Sequence, residues 1–251
     1  MADVSEPATP PTLEMIPIGI DAVGTREEFD SLGHIDVPAQ HYWGAQTQRS
    51  LSHFAIGQER MPIEVHRAYG QIKKAAALAN AELGTLPSWK ADAIAAVADE
   101  IIAGQLDAEF PLFLFQTGSG THTNMNVNEV ISNRCSQLLG SELGSQEPIA
   151  PNDDVNMSQS TNDTFPTAMH LAAYLVTVER TLPALRQLRD ALAEKSALWA
   201  DVVKLGRTHL QDATPLTVGQ EWSGYVGALD ASIDDLMFAT DGLLVIAMGG
   251  T

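Results

Sequence analysis

Residues 217–247 read TVGQEWSGYVGALDASIDDLMFATDGLLVIA, and their spacing decides the fold class. Val218, Trp222, Tyr225, Leu229, Ile233, Leu236, Thr240, Leu243 and Ala247 alternate steps of three and four. Those steps keep all of them on one side of an α-helix. At 1.5 Å per residue such a helix is roughly 45 Å long. A stripe of that length needs long neighbours to cover it, so the pattern predicts a helical bundle. One neighbour is legible. Asp163, Thr164 and Pro166 make a helix start, predicting a helix to about Val203 with Leu182, Leu185, Leu188 and Leu192 on one face. Pro183 predicts a kink or local break in it.

Working toward the N-terminus, the alanine-rich run 68–83 predicts a helix stopped by Gly84 and Pro87. Ser88 is placed to cap a second helix over 89–102, which Gly104 ends, and 124–139 reads as a third, closed by Gly140. Residues 144–154 form a loop. Residues 25–50 are mixed, with turn signals at Gly33, Pro38 and Gly44, and residues 1–24 carry Pro7, Pro10, Pro11 and Pro17 and read as a flexible lead-in. At the other end, the apolar run 243–248 before Gly249-Gly250-Thr251 reads as covered by other subunits or as a chain cut short.

The net charge of −18 over 251 residues excludes a nucleic-acid partner, whose phosphates would be repelled without a basic stripe, and an anionic membrane surface. Asp230, Asp234, Asp235 and Asp241 exclude the long helix as an ordinary membrane span. A single cysteine, Cys135, excludes an intrachain disulfide and reads as a small buried apolar residue. No basic-then-apolar leader with a cleavage site is visible, so a cytoplasmic location is expected.

Three segments concentrate small hydrogen-bonding side chains. Residues 116–126, QTGSGTHTNMN, combine glycines, which let a ligand approach the backbone, with hydroxyls and amides, and lead into a helix whose N-terminus favours an anion. Residues 158–163, SQSTND, again set such donors at a helix start. For each, the alternative is a loop that caps its own helix. Residues 206–212, GRTHLQD, join the two long helices and carry His209, which needs a partner to serve as an acid or base. No metal-ligand spacing, dinucleotide fingerprint or G-x-S-x-G elbow is present. Together the three suggest a small carboxylate ligand held at the end of a helical bundle. The overall negative charge would repel it, so local dipoles must hold it.

In order and spacing these segments resemble the substrate-site regions of the fumarase/aspartase superfamily, and among its members the class II fumarases. The likeness runs from about Asp30 to Thr251. It includes YWGAQTQRS at 42–50, QTGSGT at 116–121 with Asn124, Asn126, Asn128 and Glu129, PNDDVN at 151–156, NDTFPTAM at 162–169 and GRTHLQDATP at 206–215. Aspartase relatives carry glutamine where this chain has His209, so the resemblance points to hydration. It implies a mostly α fold: a helical N-terminal domain over 25–157, then the first long helices of a helical-bundle domain, truncated, over 158–251. It implies a homotetramer whose sites draw on three subunits, and reversible trans addition of water to fumarate giving L-malate without metal or organic cofactor. Ser119, Thr121 and Asn162, helped by Ser160 and Thr161, would bind substrate carboxylate or water. Thr208 would position substrate, and His209 would activate the water or protonate the departing hydroxyl.

Family chains are nearly twice this length and supply from the remainder a mobile serine loop, a lysine, an asparagine and the glutamate that partners the histidine. The resemblance therefore implies an inactive chain when alone. A non-catalytic assembly partner of a full-length copy and an aspartate ammonia-lyase are the competing readings. Asn152 and Asp153 match a secondary dicarboxylate site, but Ala150 stands where fumarases commonly have a histidine, so that site does not carry over intact.

Overall fold

The computed structural model describes residues 11–249, and the fold is mostly α, as expected. It divides into two compact units, one running to Ala172 and taking up the residues from Ile246 onward, the other Ala173–Val245. The division therefore falls some fifteen residues beyond the expected boundary at 157/158.

The first unit opens with a hairpin the sequence did not announce. Strands β1 (Thr25–Asp30) and β2 (Gly33–Pro38) are antiparallel, Thr25 opposite Pro38 and Asp30 opposite Gly33. Helices α1 (Ala45–His53), α2 (Ile63–Glu82), α3 (Ser88–Ile102) and α4 (Thr121–Leu138) follow, and α5 (Thr161–Val176) begins here. Ser88 does not cap α3; Pro87 takes that position, without a side-chain bond.

Helix α4 is the peg of this unit, since every residue from Thr123 to Ser136 is buried. Val127, Val130, Ile131 and Cys135 join Tyr69 and Ile72 of α2 and Ile94, Val97 and Ile101 of α3 in one apolar core. A helix buried all round is ordinarily apolar all round. This one instead uses several of its buried polar side chains as fasteners to loop groups that would otherwise go unbonded. Asn133 donates to Glu28 Oε1 (3.2 Å) and the Tyr42 carbonyl (2.9 Å), and accepts from the Gly144 N–H (2.7 Å). Ser132 donates to the Ile149 carbonyl (2.6 Å) and Asn126 to that of Glu109 (3.0 Å). Glu129 supplies the cap that α1 lacks. Its carboxylate accepts from the N–H groups of Gly44 (3.0 Å), Gln46 (2.7 Å) and Thr47 (3.1 Å) and from the Thr47 hydroxyl (2.6 Å).

The expected flexible lead-in holds fixed contacts over its described part. Glu14 N–H donates to the Leu138 carbonyl (2.8 Å) and Gly19 N–H to the Tyr42 hydroxyl (2.9 Å). The Arg134 guanidinium donates to the Ile16 carbonyl (2.8 Å) and pairs with Glu100 (2.7 Å). Leu13, Ile16 and Ile20 pack on the core. These apolar residues, interleaved with prolines, act as anchors in a segment whose backbone is held by Leu138, Tyr42, Gln137 and Arg134. Residues 1–10 lie outside the described region.

The second unit is built on α6 (Leu182–Leu198) and α7 (Val218–Asp241), joined by a second antiparallel hairpin, β3 (Val203–Thr208) and β4 (Gln211–Thr217). The single helix expected over 163–203 is thus three pieces. It widens into a π turn at Thr177–Thr181 just before Pro183, restarts as α6, and gives way to a strand at Val203. Pro183 has no N–H for the Glu179 carbonyl and its ring crowds that group, which the wider turn relieves. Helix α7 begins on a capping box: Thr217 Oγ1 accepts from Gln220 N–H (3.0 Å), and Gln220 Oε1 accepts from Thr217 N–H (2.9 Å). It stops at Asp241, not Ala247, in a short 3₁₀ turn at Gly242–Leu244, so it is about 36 Å long.

The two helices meet closely. Gly219 lets the start of α7 approach α6, since a Cβ there would lie 2.5 Å from the Ser196 carbonyl oxygen. Trp199 and Trp222 pack edge to face at 4.8 Å, and Arg189 donates to Asp230 (2.7 Å). Of the predicted stripe, Ile233 and Thr240 are buried and Trp222, Leu229 and Leu236 half-buried. Leu188 leaves the face assigned to it and is exposed, and Met237 and Phe238 give α7 a second, exposed apolar side.

Candidate active site

Gln116 shapes the first loop. Its Oε1 accepts from the N–H and hydroxyl of Thr123 (both 3.1 Å), capping α4, while its Nε2 holds the Phe113 carbonyl (2.9 Å). Capping is therefore done by an amide five residues before the first residue of the helix. Ser119 and Thr121 are left to bond each other at 3.0 Å, with Ser119 exposed and Thr121 half-buried. Gly120 between them adopts φ +73° and packs against Phe165 of α5.

The second loop enters α5 two residues earlier than its sequence suggests, at Thr161. Asp163 is a buried residue of the helix, where its Oδ2 accepts from Gly249 N–H (3.0 Å). Thr164 returns its hydroxyl to the Ser160 carbonyl (2.9 Å). Pro166 lies inside α5 and cannot donate to the Asn162 carbonyl. Ser160 and Thr161 are half-buried and Asn162 is exposed.

The structure joins these two loops through side chains behind them. Asn124 Nδ2 donates to Thr161 Oγ1 (3.1 Å) and to Asn156 Oδ1 (3.0 Å). Asn156 and Gln159 both turn their side-chain oxygens to Lys73 Nζ, each at 2.9 Å. Lys73, on α2, is fully buried, and burial lowers its proton affinity well below the usual lysine value, with the negative charge of Asp163 opposing. Two helix N-termini and their rim hydroxyls are thus set side by side over the buried Lys73 amine, and the helix starts favour an anion.

Sequence reasoning missed Lys73. The signal lies in α2, where His66, Lys73 and Asn80 recur every seven residues on the buried face, a polar row that a lysine-as-surface assumption hides.

Thr208 and His209 lie in the second unit, on the β3–β4 hairpin. Thr208 pairs with Gln211, so His209 and Leu210 are the two turn residues, at φ +48° and +62°. Both are exposed. Asn and Gly usually fill such a primed turn, so a histidine and a leucine there carry backbone strain of the kind found at functional positions.

Asn152 and Asp153 are exposed and bonded to each other (3.3 Å). Asn152 borders a cleft of about 480 Å³ that is also lined by Glu28, Asp30 and Glu129. Among the described residues, no cluster of three or more His, Cys, Asp or Glu side chains is placed to hold a metal ion. No described helix is long and apolar enough to cross a membrane.

A family profile described as Lyase matches residues 33–251. The chain belongs to this lyase family. The lyase chain is 61% identical over 241 residues to a class II fumarate hydratase of Methanosarcina acetivorans, covering 96% of itself and 50% of that relative. It is 55% identical over 226 residues to one from Bacillus subtilis, covering 90% and 49%. It superposes on the crystal structure of a class II fumarase from Schistosoma mansoni with a TM-score of 0.87 at 45% identity, over 91% of itself and 48% of that chain. A fumarate lyase:delta crystallin from Brucella melitensis gives 0.87 at 43% identity, over 90% and 53%. The lyase chain thus spans about half the length of the curated relatives it matches, their N-terminal half.

Proposed function

We propose that this chain is the carboxylate-holding half of a fumarate hydratase, which adds water reversibly to fumarate to give L-malate. The pairing of two helix starts by Asn124, with Ser119, Thr121, Thr161 and Asn162 at their rims, carries the reading. In the malate-to-fumarate direction a base removes the C3 proton, and the electron pair collects on the adjoining carboxylate. Fixed hydroxyl, amide and backbone donors hold that charge without reorganising. The C2 hydroxyl then leaves as water, protonated by His209, while Thr208 positions substrate. In reverse, His209 accepts the proton of the attacking water. The base at C3 is assigned to the part of the relatives that this chain does not span.

The exposed apolar side of α7, with Phe238 and Met237, supports a homotetramer in which other copies cover it. A second reading is that the chain is a non-catalytic assembly partner of a full-length copy, for which the same exposed side of α7 would be the contact. Consumption of fumarate by the purified 251-residue chain, with His209→Ala as control, tests both. We expect no turnover alone; on mixing with a longer relative, a native mass that shows the two chains assembled would favour the partner reading, and an unchanged mass would exclude it. Turnover by the chain alone that His209→Ala abolishes would place a sufficient site within it. Turnover that survives His209→Ala would remove the role given to His209.

A further inference from the structure

Asn124 is 1% exposed. Its Nδ2 serves two acceptors, Asn156 Oδ1 and Thr161 Oγ1, while its Oδ1 meets no protein donor. The reverse orientation would aim one amide oxygen at another, so only this one works. Asn156 is oriented from both sides. Its Nδ2 donates to the Gln159 carbonyl (3.2 Å), which can only accept, and that leaves its Oδ1 facing Lys73 Nζ, which donates to it. Gln159 obeys the same rule, with Oε1 on Lys73 and Nε2 on the Val155 (3.0 Å) and Met157 (3.2 Å) carbonyls. The direction of donation is therefore fixed at the buried end and transmitted outward. At Thr161 it arrives as a bond accepted by the hydroxyl oxygen, which leaves the hydroxyl proton for a partner beyond this network.

We propose that Asn124, oriented through Asn156 by Lys73, is a positioning residue that keeps the Thr161 hydroxyl a donor toward a ligand carboxylate. The proposal rests on the reading of the two loops as a carboxylate site. A hydroxyl with the opposite polarity would turn its lone pairs toward the anion and oppose binding. Asn124→Asp imposes that polarity: an ionised carboxylate of the same shape only accepts, and draws the Thr161 proton inward.

The test is fumarate titration of the full chain by calorimetry. Asn124→Asp should weaken binding about ten- to hundredfold, in the range of one hydrogen bond to a charged group. Thr161→Val should do the same and Thr161→Ser should not. Because Asn124 acts through Thr161, the double variant Asn124→Asp/Thr161→Val should bind no worse than Thr161→Val alone. Wild-type affinity in Asn124→Asp, or losses that multiply in the double variant, would overturn the proposal. A wild-type chain without affinity for fumarate, indistinguishable from Thr161→Val, would instead overturn the reading beneath it. If Asn124→Asp does not fold, the ligand-free wild type still decides: both Asn124 side-chain amide protons should be protected from exchange in NMR spectra, and one exchanging at the bulk rate refutes the arrangement.

Discussion

The α-carbon of Gly120 faces the ring of Phe165, so that a Cβ on residue 120 would lie 2.6 Å from the ring's Cδ1. The loop before α4 and the second turn of α5 are held in register by this contact, and Gly120 also needs its positive φ of +73°. Gly120→Ala should therefore destabilise the chain by about 2 kcal/mol or more, adding overlap to backbone strain. Urea unfolding measures it. Phe165→Leu should recover part of the loss in the Gly120→Ala background, since it removes the overlap but not the strain.

The glycines of α7 should respond with opposite signs. Gly219→Ala drives a methyl group into the Ser196 carbonyl and should cost about 2 kcal/mol or more. A Cβ at Gly224 or Gly227 meets nothing within 4 Å, so alanine there should stabilise an uncovered helix by about 0.5–1 kcal/mol. Thermal melts at two protein concentrations check this. Destabilisation at Gly224 that grows with concentration would show that another copy packs on that side of α7.

Two buried groups should tilt stability in opposite directions over the same pH window. Burial lowers His66, stacked on Phe110, to about 3. Its contribution is present above the unfolded value near 6.5 and is lost as pH falls toward 3. Burial raises Glu129 to about 7, against the bonds from Thr47. Its contribution is present below the unfolded value near 4.5 and is lost as pH rises through 7. Between about 4.5 and 6.5 the two slopes, each about 1.4 kcal/mol per pH unit, oppose each other. Relative to wild type, His66→Phe should gain a downward slope with rising pH there, and Glu129→Gln an upward one. Urea titrations at several pH values measure both, and parallel profiles in the three proteins would contradict the assignment.

Arg134→Met should free the segment at 11–24. The change removes donors from the Ile16 and Pro17 carbonyls and leaves Glu100 without its partner, at a cost of about 3 kcal/mol. Limited proteolysis should then cut within 11–24 well before the remainder of the chain. Equal cutting rates in variant and wild type would show that the apolar anchors Leu13, Ile16 and Ile20 suffice.

Much of the helical scaffold was legible because its signals are local. Stops such as Gly84, Gly104 and Gly140 sit where the helices end, all three at positive φ. The hairpins were not legible. In β1 the residue turned inward is Glu28, matched by Asn133 and Arg26, so the usual alternation of apolar and polar residues is absent. The β3–β4 turn is made by His209 and Leu210, neither of which announces a primed turn. At the candidate site the sequence marked the rim hydroxyls, because they lie in compact motifs. Lys73 escaped because its partners Asn156 and Gln159 lie 83 and 86 residues away, a distance no local period spans.

The bond between Glu129 and the start of α1 also orders events in time. Helix α1 has nine residues and no cap of its own, too short to persist in water unaided. Glu28 takes the Ala45 N–H (3.1 Å), but the carboxylate that accepts from Gly44, Gln46 and Thr47 lies 82 to 85 residues further along. During synthesis, residues 45–53 emerge long before α4 exists to receive them. The bonds at Gln46 and Thr47 therefore form only with the arrival of α4, so an amide probe at Thr47 would serve as a clock for completion of the first unit.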